Sequence, residues 1–442
     1  MPHIRAKDPA CESWNRMLMD EFARKGFYHS IPLPDGRVLE GIIPLDALYD
    51  RVNVFPIPND LTGKRVLDIG TWDGFFAFEM ERRGANVAAI DSTEVDNFYM
   101  ARELLGAQVD YRVQDVYDLT PERNGYFDLI LFMGVLYHLK HPLLALERVC
   151  ECCRDMAIVE SFVTNEAPGA DIPTLEFYET GELLGQIDNW CGPSAQCLLA
   201  FCRTAGFARA EIVRIRQQRA IVACYRHWLP EPAEPAAEPP KLIASVHATN
   251  YGINASAAKD DYVSAFFKSG EKDLTLDTVF PEVGGYGIRP VTVINTGEDG
   301  WQANFKLPPG LAAGWQPVRV RTAGSRYSNE TPLAVDLPAV CEQITITGAC
   351  DGRTWRPGEV ALSEDSFLSL WVAGLPANAD RGNVRLTLAG RKLVITDMTA
   401  DKGDGEPRQI NAKAPPSFPK GRHDLAVRLG DTVSEPVPFR VI

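Results

Sequence analysis

Two acidic residues stand where apolar runs of the sequence end. Asp68 lies within VLDIG, and Asp91 follows the run at 86–90. Both runs have the composition of buried parallel strands, so each carboxylate is expected at the carboxyl edge of a sheet, where open α/β proteins bind ligands. Asp91 comes about twenty residues after the turn that follows the first run, where an acid can accept hydrogen bonds from ribose hydroxyls. The pattern predicts a nucleoside pocket.

The turn GTWDG after the first run indicates which nucleoside ligand fits. Gly70 and Gly74 let backbone amides and a helix N-terminus approach a ligand closely. Trp72 takes the middle position that dinucleotide-binding turns give to glycine, and the carboxylate of Asp68 would repel a pyrophosphate. That carboxylate suits a cationic ligand with an amino group, as in S-adenosylmethionine. Asp73 is expected to cap the following helix or to contact the ligand.

The segment VLDIGTWDG resembles the VLDxGxGxG signature of class I S-adenosylmethionine-dependent methyltransferases. Two ordered matches continue the likeness, QDVYDL at 114–119 and FDLILFMGVLYHLKHPLLAL at 127–146. The family implies S-adenosyl-L-methionine as the cofactor. The positions that the resemblance and the turn assign to it are Asp68, Gly70, Thr71, Trp72, Gly74, Asp91, Ser92, Asp115, Val116, Met133 and Gly134.

The resemblance also implies a role for several of these positions. Asp68 and Gly70 would cradle the methionine moiety. Asp115 would accept a hydrogen bond from the exocyclic amine of adenine. Met133 and Gly134, at the end of the fourth strand, would line the pocket under the sulfonium.

The block GVLYHLKHPLLAL narrows the resemblance to bacterial methyltransferases related to the tRNA wobble-uridine carboxymethyltransferase. Residues 190–207, WCGPSAQCLLAFCRTAGF, match the late segment of that group, so the likeness covers about residues 25–225. The carboxymethyl enzyme uses a carboxylated cofactor, whose carboxylate needs fixed cationic donors. Tyr137 matches one family contact, but the basic residues are reduced to Arg51 and the segment RQQR at 216–219. Ordinary methyl transfer is therefore predicted.

Acceptor chemistry is predicted beside the same strand ends. Methyl transfer is an in-line displacement, so alignment and a water-poor cavity matter most. His138 could take a proton from an acceptor hydroxyl, or instead cap or pack the following helix. Tyr137 and Glu160 complete the predicted catalytic set, Glu160 as a contact to an acceptor hydroxyl or amine. His29, as part of an N-terminal lid, and Trp190 are predicted to contact the acceptor.

These residues need a sheet to position them. Before the Pro/Ala-rich stretch at 229–240, apolar runs alternate with helical periodicity; after it, short β-branched runs are broken by Gly, Pro and Asn. The sequence predicts a doubly wound, Rossmann-like α/β methyltransferase domain with an N-terminal helical lid at 1–228. A linker at 229–240 and two all-β modules at 241–337 and 338–442 follow.

The all-β half repeats itself, because residues 302–335 can be laid against 409–441 with short gaps. Each copy has a strand, a double proline, a glycine-bearing turn, an alternating strand and a closing strand, typical of sandwich modules of about 100 residues. Both copies resemble bacterial immunoglobulin-like modules of the IPT/TIG type. Four tryptophans are expected in their cores rather than as stacking platforms for sugars. They are Trp301, Trp315, Trp355 and Trp371.

Composition limits the classes of function. The 442 residues are 45% hydrophobic and 24% charged, which is typical of soluble globular proteins. No apolar run is long enough for a membrane span, and the N-terminus lacks a signal-peptide core, so a cytoplasmic protein without a membrane partner is expected. A net charge of -14 argues against a broad basic surface for nucleic acid. The ten cysteines are expected to be buried thiols without a metal site.

The sequence favours a methyltransferase that acts on a small-molecule or glycan acceptor, at a hydroxyl. Its C-terminal modules would bind a protein, a carbohydrate or another copy of the chain. A tRNA-modifying (carboxy)methyltransferase is the second hypothesis, opposed by the acidic balance. The third is a non-catalytic protein that binds S-adenosylmethionine and interacts through its modules, for which Trp72 is the one supporting feature. The acceptor and the oligomeric state stay open.

Overall fold

The computed structural model describes residues 26–164, 172–403 and 405–442. The chain divides into two compact units, with the main boundary after Glu231. The first unit also takes in residues 285–289 and 308–311, and the second holds the remainder. The N-terminal helical lid that the sequence predicts would precede the first described strand. Residues 1–25 lie outside the described residues.

The first unit is built from short strands and helices. Its strands up to residue 225 are β1 (Phe27–His29), β2 (Ile31–Pro32), β3 (Val38–Leu39), β4 (Gly41–Ile43), β5 (Arg65–Ile69), β6 (Asn86–Asp91), β7 (Asp110–Val113), β8 (Phe127–Met133), β9 (Cys153–Phe162), β10 (Leu175–Phe177), β11 (Cys191–Pro193), β12 (Arg209–Arg216) and β13 (Arg219–Tyr225). Its α-helices are α1 (Leu45–Val52), α2 (Phe75–Arg82), α3 (Asp96–Leu105), α4 (Pro121–Asn124), α5 (Pro142–Cys152) and α6 (Ala195–Thr204). Single 3-10 turns lie at Val116–Asp118 and Leu136–His138.

Seven of these strands form one sheet in the order β12-β13-β9-β8-β5-β6-β7. Strands β5 to β9 are parallel, whereas β13 runs antiparallel to β9 and β12 antiparallel to β13. The chain order reverses between β5 and β8, and ligands of open α/β sheets bind outside the carboxyl strand ends at such a point. The predicted doubly wound α/β sheet is confirmed.

The two-sided burial of strand β5 explains why most of its residues are apolar. Its side chains alternate between the two faces of the sheet. Val66 joins the core that α2 and α3 cover, and Leu67 and Ile69 join the core that α5 and α6 cover. Since helices cover both faces, packing favours apolar residues at the buried positions of the strand. Arg65, at its start, is exposed, and Asp68 is the one buried position that is charged.

The second unit contains two strand-rich modules. The strands of the first module are β14 (Lys241–His247), β15 (Asn254–Ala255), β16 (Tyr262–Lys268), β17 (Val279–Val283), β18 (Tyr286–Gly287), β19 (Pro290–Gly297), β20 (Gly300–Lys306), β21 (Gly314–Thr322) and β22 (Thr331–Val335). Those of the second module are β23 (Thr345–Asp351), β24 (Glu359–Val360), β25 (Leu368–Ala373), β26 (Val384–Leu388), β27 (Arg391–Lys392), β28 (Val394–Met398), β29 (Arg408–Lys413), β30 (Gly421–Leu429), β31 (Thr432–Val433) and β32 (Val437–Val441).

The two modules have the same strand order. The sheets β14-β16-β20-β19 and β15-β22-β21-β17-β18 of the first correspond to β23-β25-β29-β28 and β24-β32-β30-β26-β27 of the second, with β31 added to β30. The registers agree as well, since Ser264 faces Asn304 and Ser369 faces Asn411. In each pair the serine hydroxyl donates to the asparagine at 2.7 Å. The strand order and register therefore repeat within the second unit.

The expectation that all four module tryptophans are core residues is wrong for two of them. Trp301 is buried, but Trp315 is 43% and Trp355 is 60% exposed. Trp315 stands at an outward position of β21, and Trp355 lies in the turn after β23 with a left-handed backbone, φ 61°. The ring of Trp371, on β25, lies 6.0 Å from that of Trp355.

Two further findings concern membranes and cysteines. Within the part of the chain that the structure describes, no helix is long and apolar enough to cross a membrane. The described cysteines are buried except for Cys341, as expected of structural thiols. Burial raises the pKa of the Cys152 thiol to about 12, and the charge of Glu151 adds to the rise. The thiolate form of Cys152 is therefore strongly disfavoured.

Candidate functional site

The turn between β5 and α2 requires its glycines. Gly70 has a φ of 70°, and a Cβ there would lie 2.2 Å from the side chain of Val135. Gly74 has a φ of 92°, and a Cβ there would lie 2.4 Å from the ring of Phe78. A side chain at either position would meet both a strained backbone and occupied space. The turn therefore brings bare backbone to the switch point.

Trp72 keeps the backbone of the glycine that it replaces. Its φ is 50°, a left-handed conformation that costs a non-glycine residue roughly 1–2 kcal/mol. Its side chain is 41% exposed, while its N–H donates to Asp91 Oδ2 at 3.1 Å. Trp72 thus has the left-handed backbone that glycine favours and adds an exposed indole to the turn.

Asp68 is a buried carboxylate, and one of its oxygens accepts no hydrogen bond from the described residues. Its side chain is about 1% exposed, and its Oδ2 has no hydrogen-bond partner among the described residues. Burial raises the pKa of Asp68 to about 7, and the charge of Asp91 adds to the rise. The side chain of Thr71 and the backbone N–H of Ala77 oppose this rise as hydrogen-bond donors to Asp68. Buried polar atoms normally have partners, so Asp68 Oδ2 is a candidate for a ligand contact.

Asp91 ends β6 next to this turn. Its Oδ2 accepts from the backbone of Trp72, and burial raises its pKa. Its backbone carbonyl accepts from Gln114 N at 2.8 Å, which ties the end of β6 to the segment after β7. Ser92, which follows, is exposed. The sheet therefore places the first two predicted acids at neighbouring strand ends.

The predicted adenine contacts follow β7. Asp115 is exposed, and its Oδ1 accepts from Tyr117 N at 2.9 Å, so it caps a 3-10 turn. Val116 in that turn is buried. On the other side of β5, Met133 ends β8, and Gly134 has a φ of 74° with its N–H donated to Glu160 O at 3.0 Å. All predicted cofactor positions thus lie at or after the carboxyl ends of β5 to β8.

Glu160 is held in an ion pair that the sequence prediction did not include. It is buried, and its two oxygens accept from Arg219 Nε at 2.6 Å and Nη2 at 2.7 Å. The guanidinium of Arg219 also lies 4.8 Å over the ring of Tyr137. A Cβ on Gly134 would lie 3.5 Å from Arg219 Nη2, so the pair borders the predicted pocket. The contact of Glu160 with an acceptor hydroxyl or amine stays a prediction, and the structure adds that its charge is paired with Arg219.

His138 contacts a loop rather than the following helix. Its Nδ1 lies 3.2 Å from the carbonyl oxygen of Asp188 and 3.5 Å from its Oδ2. Helix α5 begins after His141, so the alternative that His138 caps it is wrong. Burial lowers the pKa of His138, and Asp188 opposes that shift. The imidazole is therefore neutral near pH 7, the form that can accept a proton.

His29 is not the exposed loop residue that a lid would need. It lies in β1, is buried, and packs edge-on against Phe76 with ring centres 5.8 Å apart. Burial lowers its pKa to about 3, and the charge of Arg51 contributes. Its neighbour Tyr28 is exposed instead. Burial raises the pKa of Tyr137, and the nearby phenol of Tyr28 contributes to the rise.

Trp190 lies beside the 3-10 turn that contains His138. Its backbone N–H donates to Tyr137 O at 2.8 Å, and Lys140 Nζ lies 4.3 Å over its ring. The ring of Phe177, a strongly exposed residue, is 6.4 Å away. The predicted acceptor residues Tyr137, His138 and Trp190 are thus brought together, whereas His29 is buried elsewhere.

Asp73 does not cap α2, whose first turn begins after Gly74 without a side-chain cap. Its Oδ2 instead accepts the N–H groups of Tyr28 and His29. Sequence patterns gave no signal for this contact, because Asp73 and His29 are 44 residues apart in the chain. Asp188 was likewise missed as a neighbour of the site. Arg219 was named from the sequence only as part of the basic segment at 216–219, and its pairing with Glu160 was not predicted.

The proteins to which this chain is similar match part of its first unit. Residues 45–197 match the family model described as a methyltransferase domain. The ubiquinone biosynthesis O-methyltransferases of Xanthomonas euvesicatoria pv. vesicatoria (strain 85-10) and Xanthomonas campestris pv. campestris (strain B100) are 43% and 44% identical to this chain over 110 residues. That stretch is 24% of this chain and 46% of each relative, so the chain spans about half the length of the curated relatives it matches.

Two solved structures were also compared. The N-terminal domain of EvdMO1 with SAH bound is 19% identical, with a TM-score of 0.35, over 48% of this chain and 96% of that one. The 1,6-didemethyltoxoflavin-N1-methyltransferase of Burkholderia thailandensis is 20% identical, with a TM-score of 0.31, over 50% and 92%. With TM-scores under 0.5, neither likeness carries an argument about this chain. The doubly wound sheet and the match of residues 45–197 to the model of a methyltransferase domain concern the same unit.

Proposed function

We propose that the first unit transfers a methyl group from S-adenosylmethionine to a hydroxyl of a small-molecule or glycan acceptor. The observation that carries this proposal is the buried, unpartnered Oδ2 of Asp68 beside the glycine-lined turn at the switch point. The match of residues 45–197 to a methyltransferase domain and the O-methyltransferase relatives support it.

The residues of the turn and the strand ends fit this cofactor. Asp68 Oδ2 can accept from the amino group, and its burial makes a cationic partner favourable. Asp91 keeps acceptor capacity for ribose hydroxyls, and Val116 offers apolar contact to adenine. Gly70 and Gly134 leave the space that a side chain would fill. When bound, the cofactor supplies a methyl group that its sulfonium activates.

On the acceptor side, we propose His138 as the base. A carbonyl oxygen can only accept, so the contact with Asp188 O requires the proton of the neutral ring on Nδ1. Nε2 is then the free acceptor for a hydroxyl proton. Asp188 would hold this tautomer. Tyr137 and Trp190 would line the acceptor cavity, and neither Glu160 nor His29 is proposed as a base, since one is ion-paired and the other buried.

The ion pairs of two arginines support the use of ordinary S-adenosylmethionine rather than its carboxylated form. The carboxylated form would need a free cationic donor near the transferred carbon. Arg219 is paired to Glu160, and Arg216 donates to Asp50 Oδ2 at 2.9 Å. Both arginines of the segment 216–219 therefore have carboxylate partners. A tRNA-modifying (carboxy)methyltransferase is the alternative that these pairs disfavour.

The non-catalytic alternative rested on Trp72. Because Trp72 retains the left-handed backbone of a glycine, the turn can still accommodate a nucleoside ligand. The contact between His138 and Asp188 further supports an active enzyme.

For the second unit we propose two immunoglobulin-like sandwich modules that bind a protein or carbohydrate partner. Both sheets of the second module contribute to one apolar core, as in a sandwich. The exposed Trp355 and its neighbour Trp371 are the proposed contact surface. Trp355→Ala should weaken retention in affinity gels that contain a binding polysaccharide, and Trp301→Phe, in the core, serves as the control for folding. Equal retention of both variants would remove this surface from the proposal.

The first test of the enzymatic function is a calorimetric titration of the full chain with S-adenosylmethionine and with its carboxylated form. We expect tighter binding of the ordinary form. A screen of hydroxylated small molecules and glycans for S-adenosylhomocysteine release would then find the acceptor. Tighter binding of the carboxylated form would move the protein to the tRNA-modifying alternative, and binding without release on any acceptor would favour the non-catalytic one.

A further inference from the structure

Asp73 ties together two parts of the chain that are distant in sequence. The residue is fully buried in the turn before α2, and its Oδ2 accepts the N–H groups of Tyr28 and of His29, the latter at 2.8 Å. A second tie lies close by, because Asn97 Nδ2, in the first turn of α3, donates to Gly26 O. The turn and the start of α3 thus hold one short segment around β1.

Strand β1 is held by its buried Phe27 and His29 and by a short ladder. It is three residues long and forms a two-stranded ladder with β4, in which Phe27 pairs with Gly41 and His29 with Ile43. Such small ladders are marginally stable by themselves. Without Asp73, the N–H groups that it binds would lose their acceptor in a site of low accessibility. The carboxylate therefore contributes to where β1 lies, together with the packing of Phe27 and His29.

The residue before Asp73 makes the complementary contact. Trp72 N donates to Asp91 Oδ2 at 3.1 Å, at the end of β6. Two successive residues of one turn thus bind the strand end proposed for the ribose and the strand that carries Tyr28. The side chain of Tyr28 is 38% exposed.

We infer that Asp73 is a positioning residue that couples ligand binding at the turn to the ordering of β1 and Tyr28. A ligand that fixes Asp91 and the turn restricts Asp73, and through its two hydrogen bonds restricts β1. This inference rests on the proposed function, because it takes the turn as the cofactor site. It gives Asp73 the role of holding β1, with its partly exposed Tyr28, to the turn, and gives His29 the role of packing that strand against Phe76.

The test is hydrogen exchange of the full chain, followed by mass spectrometry of peptides covering residues 26–30. The probe is S-adenosylhomocysteine, and its dissociation constant is measured by calorimetry on the same samples. In the native protein the probe should slow exchange in this segment. In Asp73→Ala, exchange should be at least about tenfold faster and insensitive to the probe, while the dissociation constant changes by less than about threefold. Asp73→Asn keeps one acceptor oxygen and should restore part of the protection.

The matched control is Asp128→Asn, because Asp128 also accepts a distant backbone N–H, that of Arg65 at 2.9 Å, but at the opposite end of the sheet. It should leave residues 26–30 unchanged. If Asp73→Ala does not fold, Asp73→Asn carries the test with an intermediate loss of protection. Unchanged exchange at 26–30 in the Asp73 variants, or equal protection by the probe in native and variant protein, would overturn the inference. Failure of the native chain to bind the probe would instead refute the proposed function.

Discussion

Arg219 and Glu160 form a two-pronged ion pair beside Gly134, with Nε–Oε1 at 2.6 Å and Nη2–Oε2 at 2.7 Å. The pair joins the start of β13 to the carboxyl-terminal half of β9 at the border of the proposed cofactor pocket. Because each charge satisfies the other, the border presents little net charge to a ligand. This neutrality is what separates an ordinary from a carboxylated cofactor in our proposal.

Glu160→Gln should therefore change cofactor selectivity. The substitution frees the guanidinium of Arg219, which can then bind a carboxylate with a charge-assisted hydrogen bond. We expect affinity for the carboxylated cofactor, relative to the ordinary one, to rise about tenfold, as for a bond worth about 1.5 kcal/mol. Competition calorimetry measures the ratio, and Glu182→Gln, an exposed acid of the acceptor-side loop, is the control. An unchanged ratio would place Arg219 out of reach of the transferred carbon.

His138→Ala should lower kcat about 10²–10⁴-fold on the acceptor found by screening, because it removes the proposed base. The dissociation constant of S-adenosylmethionine should not change. His141→Ala is the control, since that exposed histidine lies three residues further and makes no side-chain cap. Equal turnover of the His138 and His141 variants would end the assignment of the base.

The pH–rate profile tests Asp188 separately. Asp188 raises the pKa of His138 against the effect of burial, so Asp188→Asn should lower that pKa. Since the neutral imidazole is the base, activity falls as pH drops through this pKa. The acidic limb of the profile should move to lower pH in the variant. A shift to higher pH, or none, would exclude the contact as a determinant of the base.

Cofactor affinity should itself depend on pH through Asp68. Its pKa is raised to about 7 in the free protein, mainly by burial, and the proposed contact with an ammonium group needs the charged form. Affinity for S-adenosylmethionine should therefore rise with pH between about 6 and 8, with proton release on binding at the lower end. Calorimetry in buffers of different ionisation enthalpy detects that release. In Asp68→Asn affinity should be weaker and this pH dependence should disappear.

Asp91→Ala should weaken S-adenosylmethionine binding about tenfold to 100-fold, the loss expected for hydrogen bonds to a charged group worth about 1.5–3 kcal/mol. Asp110→Ala, an exposed acid at the amino end of β7, should leave the dissociation constant unchanged. If both variants bind equally, Asp91 is not a ribose contact and serves only to accept the N–H of Trp72.

The fold was largely predictable because its determinants are local. The apolar run before Asp68, the helical periodicity after Gly74 and the acid at the end of the next run are readable within a short window. The module repeat was readable for the same reason, since Gln302 and Gln409 stand at equivalent register positions.

The acceptor side was harder to predict because its contacts join distant segments. Glu160 and Arg219 are 59 residues apart, and His138 and Asp188 are 50 apart. Nothing in the sequence near Glu160 indicates that its charge is paired. His29 was predicted to contact the acceptor as part of an N-terminal lid, but it lies buried in β1. Tertiary contacts, not local propensity, decided both outcomes.

Because the two modules have the same strand order, a position in one can be compared with the equivalent position in the other. Phe266 stands opposite Gln302 in the first copy where Trp371 stands opposite Gln409 in the second, on otherwise corresponding strands. Trp371→Phe therefore gives the second module the side chain that the first module has at the same register position. A difference between the native and substituted chains would then measure what the larger ring adds, separately from what the sheet needs to fold.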